Sequence, residues 1–143
     1  MSLEDVKKEY AKYDFASFEE VNKELELGSI EVENWDFLNS VCRATVSKLN
    51  KMISYVTPFF IPGGYYSSII MHHAKGDSAI HEETQKLYKE LMVWYHKGLR
   101  AEMGTEKEQI AYFQAFWKAY PLWKTRILVI IEYCEAVFAK QEE

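Results

Sequence analysis

Cysteine is scarce in this chain. Its 143 residues include two, Cys42 and Cys134, too few for a disulfide framework in a domain of this size. Long hydrophobic runs are missing as well. The longest aliphatic run, Ile127 to Ile131, is five residues held between Arg126 and Glu132, whereas a bilayer span needs about 20. Positive charge is not in excess: 17 Lys and Arg stand against 22 Asp and Glu, a net charge of −5. That balance leaves no electrostatic footprint for nucleic acid and no polybasic segment for a membrane surface. The opening "MSLEDVKKEYAKY" lacks the apolar central run of a secretory signal. A reduced, cytoplasmic protein is the expectation.

What is present is material for a core. Apolar residues make up 48% of the chain and aromatics 15%, which argues against disorder. The length suits one domain over residues 1–143, large enough to bury about 68–70% of its unfolded surface. Charge is uneven: residues 1–36 carry four lysines against eleven acids, and residues 37–143 carry thirteen bases against eleven acids. A solvated acidic face explains this, as does an acidic N-terminal segment leaning on a mildly basic body.

The dominant period is helical. Trp35, Leu38, Cys42, Thr45, Leu49, Met52 and Val56 fall at alternating steps of three and four, one stripe of a helix that Thr57-Pro58 ends. A second long helix begins at "GDS", capped by Asp77 or Ser78, and presents Leu87, Tyr88, Leu91, Met92, Trp94, Tyr95 and Leu99 to the core. Gly104 closes it. Thr105 and Glu108 then have capping-box spacing ahead of a third helix, with Ile110, Phe113, Trp117 and Tyr120 on a stripe that Tyr112 and Phe116 widen. A fourth runs from about Leu122 to Lys140. Pro121 is either the first residue of that helix or a kink in one long helix. Residues 1–28 give two short acidic helices, the second with a Ser17–Glu20 capping box and Gly28 as its stop. No run alternates with a strand period. The predicted fold is all-α, an antiparallel bundle of four longer helices plus two or three short ones.

Residues 57–78, "TPFFIPGGYYSSIIMHHAKGDS", hold two of the three prolines and three of the six glycines, yet are rich in Phe, Tyr, Ile and Met. "YYSSIIMHHAK" reads as a short helix. "TPFFIPGG" reads as an extended, turning segment whose Phe59, Phe60 and Ile61 need cover. The stretch is expected to cap the end of the bundle.

Candidate chemistry is sparse. His72, His73 and His81 lie close together in sequence, with His96 further on, and a metal in a helical bundle needs three or four converging donors. The spacing matches no HExxH motif, and Gly76-Asp77-Ser78 breaks any single helix that would align His73, Asp77 and His81. No cofactor is implied beyond such a metal. The two cysteines lie on apolar stripes, as small buried hydrophobes do, and "PGGYY" lacks the Lys and Ser or Thr of a phosphate loop.

The expectation is therefore a non-enzymatic helical module acting by binding a protein or a second copy of itself, with a homodimer formed through the Tyr112–Trp123 region. Two alternatives stay open. One is a metal-binding bundle, enzymatic or not, built on His72, His73, His81 and His96. The other is a sensor or carrier of a small apolar ligand, its pocket lying between the Phe59–Tyr66 cap and the aromatic helix. Phe59, Phe60, Tyr65, Tyr66, Tyr112 and Phe116 are the ligand or interface candidates.

Overall fold

The computed structural model describes residues 2–29 and 36–141. Trp35, the first position of the long stripe read from the sequence, lies outside them. Among the described residues there are six α-helices and no strand: α1 (Leu3–Tyr10), α2 (Phe18–Leu25), α3 (Phe37–Val56), α4 (Tyr65–Ala74), α5 (Ser78–Glu102) and α6 (Glu106–Gln141). The all-α fold is as predicted. No helix among these residues is long and apolar enough to cross a membrane.

Several helix ends follow from local chemistry. Thr105 and Glu108 form the expected capping box, with the Glu108 amide donating to Thr105 Oγ1 at 3.2 Å and the Thr105 amide to Glu108 Oε1 at 3.2 Å. Asp77 caps α5 by accepting from the Ile80 amide at 3.1 Å. Asp36 plays the same part for α3, accepting from the Asn39 amide at 3.3 Å. Ser2 and Asp5 make a reciprocal box at the start of α1, which the sequence reading passed over. That reading placed its N-terminal box at Ser17 and Glu20 instead. There the Ser17 hydroxyl turns to the Glu19 carboxylate at 3.1 Å and caps no amide. The stop of α2 differs too. Glu26, not Gly28, takes the left-handed conformation, with φ of 55°, and Gly28 sits in a short 3-10 turn over Leu27–Ser29.

Pro121 lies inside α6, which continues across it for 36 residues in all. Proline at this position donates no backbone hydrogen bond; the Thr125 hydroxyl donates to the Pro121 carbonyl at 3.1 Å. The segment expected to be extended after α3 begins instead as a 3-10 turn over Thr57–Phe59.

The packing clusters into two compact units. The first comprises residues 1–48 and 94–119, the second residues 49–93 and 120–143. In the first, Val6, Tyr10, Val21, Leu25 and Leu27 are buried with Phe37, Val41, Cys42, Phe113 and Phe116. The Asn39 amide donates to the Glu102 carbonyl at 2.8 Å, and a Cβ placed on Gly98 would meet Val46. These pairs make α3 and α5 antiparallel in this unit. In the second unit Leu49, Met52, Val56, Phe59, Ile70, Leu87, Leu91, Trp123, Ile127 and Ile130 are buried. Trp123 meets Glu90 and Arg126 meets Glu83, so α5 and α6 are antiparallel there. Leu99, predicted for the core stripe of α5, is 37% exposed.

Candidate functional site

The second unit contains an apolar cleft of about 380 Å³ lined by residues of three helices. Tyr55 comes from the last turn of α3 and Tyr66 from the first turn of α4. Ile130, Ile131, Cys134, Glu135 and Phe138 come from successive turns of α6. The α6 set lies along one edge of the helix, because its successive steps of one, three, one and three residues keep it on one side over about two turns.

Tyr66 is placed by the turn before it. Gly64 has φ of 91°, a conformation open to glycine at no steric cost. The Gly63 amide donates to Ser67 Oγ at 2.7 Å, tying the turn to the start of α4. The Tyr66 ring then lies nearly parallel to Phe138, with centroids 5.2 Å apart and 13° between the planes. Burial pushes the Tyr66 hydroxyl up to about 12, helped by its hydrogen bond with Cys134. The Cys134 thiol is also raised by burial, with the Tyr66 bond opposing that only in part. A thiol above its ordinary range is protonated at neutral pH and is a poor nucleophile. Glu135 is the single charged residue of the lining. The cleft can take up an apolar body and offer it two tyrosine hydroxyls and one carboxylate for orientation. It contains no acid–base pair.

Of the six ligand or interface candidates read from the sequence, Tyr66 alone lines this cleft. Phe59 is buried against Tyr133, ring centroids 5.9 Å apart. Phe60 packs on His81 and Tyr88 at 5.9 and 5.6 Å. Tyr65, 80% exposed, points away into solvent, and Ile61, expected to need cover, is exposed as well. Tyr112 and Phe116 belong to the core of the first unit. The Tyr112 hydroxyl shares a 2.7 Å hydrogen bond with Thr45, which itself donates to the Cys42 carbonyl at 2.6 Å. Burial raises the Tyr112 hydroxyl well beyond the ordinary tyrosine range. Together with Trp123, which is 1% exposed, these rings have no face to offer a partner.

The histidines do not converge. His72 and His73 are neighbours on α4 with rings 5.8 Å apart and perpendicular. His81 lies on α5 beside Phe60 and Gln85, and His96 lies fifteen positions further along α5, beside Tyr95. Among the described residues, no group of three or more His, Cys, Asp or Glu could hold a metal ion.

The first unit has a smaller polar hollow of about 280 Å³, with Tyr13, Asp36, Glu102 and Glu106 in its wall. Burial raises the Glu102 carboxyl, and Arg43 lowers it only in part.

Sequence reasoning missed Tyr55, Ile131, Cys134, Glu135 and Phe138 as a group. Tyr55 and Phe138 carried a usable signal: both are aromatic residues one position off an otherwise regular apolar stripe, the place where a ring reaches the edge of a core. No family model, curated protein or solved structure matches this chain.

Proposed function

We propose that this chain is a non-enzymatic binding protein that takes a small, largely apolar ligand in the cleft of its second unit. The observation that carries this reading is the cleft itself. Ligand sites are concave, mostly apolar, about 300–1,000 Å³ in volume and furnished with a few polar groups. The space between Tyr55, Tyr66 and α6 has that composition and lies near the small end of that range. Its chemistry favours binding over turnover, since the one potential nucleophile, Cys134, is kept protonated. The stacked Tyr66 and Phe138 rings offer a flat wall, so a planar apolar body gains the most contact.

The neutral dye N-phenyl-1-naphthylamine tests the reading. Its fluorescence is expected to rise saturably with one site per chain. Ile131→Trp, which fills the cleft from a position already 37% exposed, is expected to abolish the rise in protein that remains folded. Dye binding that is absent, or unchanged by both Ile131→Trp and Tyr66→Ala, overturns the proposal.

A further inference from the structure

We infer that the chain pairs with a second copy of itself, antiparallel, through the outer face of α6, with the two-fold axis passing beside Thr125. Three large apolar residues on this face are solvent-exposed: Leu122 at 62%, Leu128 at 50% and Val129 at 53%. Pro121 and Thr125, exposed on the same face, complete an uncharged strip. Helical residues spaced by three or four lie on one side of the helix, so these five share a face opposite to buried Trp123, Ile127 and Ile130. Scattered exposed apolar residues are ordinary, but a contiguous strip is the usual mark of an interaction site.

The pattern on this face names the occupant. One turn before the strip stands Lys118 and one turn after it stands Glu132, both exposed. From Lys118 to Glu132 the positions 118, 121, 122, 125, 128, 129 and 132 are separated by 3, 1, 3, 3, 1 and 3 residues. That series reads the same from either end. A two-fold axis at Thr125 therefore sets each position opposite its mirror position on the other copy. Leu122 meets Leu128, Pro121 meets Val129 and Thr125 meets Thr125. Lys118 meets Glu132, twice, once on each side of the axis. Parallel pairing would set lysine on lysine and glutamate on glutamate. Thr125 suits a place on the axis, because its hydroxyl already donates to the Pro121 carbonyl at 3.1 Å. Its polar group is thus satisfied within the helix, as a buried hydroxyl must be.

A single-helix face of this length makes an interface at the small end of the specific range. The expected association is micromolar and reversible.

Sedimentation velocity on the full chain, from low-micromolar to near-millimolar loading, should follow a monomer–dimer equilibrium. Leu128→Glu should leave only monomer. Lys118→Glu and Glu132→Lys should each weaken association about tenfold, because each turns two attractive pairs into two repulsive ones. The double variant Lys118→Glu/Glu132→Lys should restore it. Thr125→Cys should form a disulfide-linked dimer under mild oxidation, since Cys42 and Cys134 are both buried. Monomer at every concentration, a dimer indifferent to the charge reversals, or a dimer that Thr125→Cys does not cross-link would overturn the inference.

Discussion

α6 contributes to both units, and apolar residues are plentiful in both of its parts, yet their fates differ. In the first unit the rings of Phe113 and Phe116 are 1% and 0% exposed. Phe15 from the N-terminal segment stands edge-on to Phe113 at 4.6 Å, and the Gln114 side chain donates to the Asp14 carbonyl at 2.9 Å. Outward positions there are Ala111, Gln114, Ala115 and Lys118. In the second unit the inward face is equally full, but Leu122, Leu128 and Val129 face solvent and an open cleft borders Phe138. The aromatic part of α6 is thus its covered part, whereas aliphatic residues remain exposed on the outer face beyond it. The segment between α1 and α2 makes part of the difference, since Asp14 and Phe15 lie against this aromatic stretch.

The strongest way to sharpen this contrast is to truncate one side chain in each unit. Phe113→Ala removes a ring held between Phe15 and Phe116 and is expected to cost about 3–5 kcal/mol. Leu128→Ala removes a side chain half in solvent and, at sub-micromolar protein where the chain is monomeric, is expected to stay within about 0.5 kcal/mol. Urea unfolding of both variants measures the gap. Equal costs would break the comparison.

A smaller effect should follow from adding atoms. Gly98 lies where α5 meets α3 and α6 in the first unit, and a Cβ there would sit 2.6 Å from Val46 Cγ2 and 2.7 Å from the Tyr112 hydroxyl. That hydroxyl cannot swing away cheaply, because Thr45 holds it at 2.7 Å. Overpacking of about 1–3 kcal/mol outweighs the gain of about 1 kcal/mol that alanine brings to a helix. Gly98→Ala should therefore destabilise, and Gly98→Ala combined with Tyr112→Phe should recover part of the loss. A more stable Gly98→Ala protein would show that this packing is loose.

Much of the fold was legible because it rests on period and punctuation. The 3-4 stripe of α3, the Thr105–Glu108 box and the break at Gly76-Asp77-Ser78 are local signals, and the structure repeats them. Pro121 was ambiguous in sequence because a proline constrains only its own turn; packing on both sides of it, with Tyr120 and Trp123 buried, holds the helix together. Gly28 misled for a similar reason, since Glu26 accepts the left-handed conformation that glycine would take more cheaply. The cleft was hardly legible at all. Tyr55, Tyr66 and Phe138 come from three helices, and which ring reaches which is a tertiary fact. The sequence places a homodimer on the Tyr112–Trp123 region, where Tyr112, Phe116 and Trp123 are buried while Leu122, like Leu128 and Val129 beyond it, is exposed.

The smallest and most discriminating test uses one carboxylate from each unit. Glu90 in the second unit is partly buried, which by itself raises its carboxyl. Hydrogen bonds from Trp123 Nε1 at 3.0 Å and Arg126 Nη1 at 2.7 Å, with the Arg126 charge, bring it below the ordinary range. Glu102 in the first unit is raised by burial, and Arg43, at 3.7 Å, offsets that only in part. The unfolded chain titrates both near about 4.3. Glu90, depressed in the folded state, contributes stability that is present above that value and lost as pH falls through its lower folded value. Glu102, raised in the folded state, does the reverse: its contribution is fully present below about 4.3 and lost as pH rises through its higher folded value. Between about pH 3 and pH 6, then, the cost of Glu90→Gln should grow with rising pH. Glu102→Gln should become progressively less harmful, or stabilising, over the same range. The Glu90 effect is small, because its side chain is 42% exposed and solvent screens it. Unfolding curves of the two variants and the parent at matched pH values give the slopes. Slopes of the same sign would show that the two carboxylates share one environment.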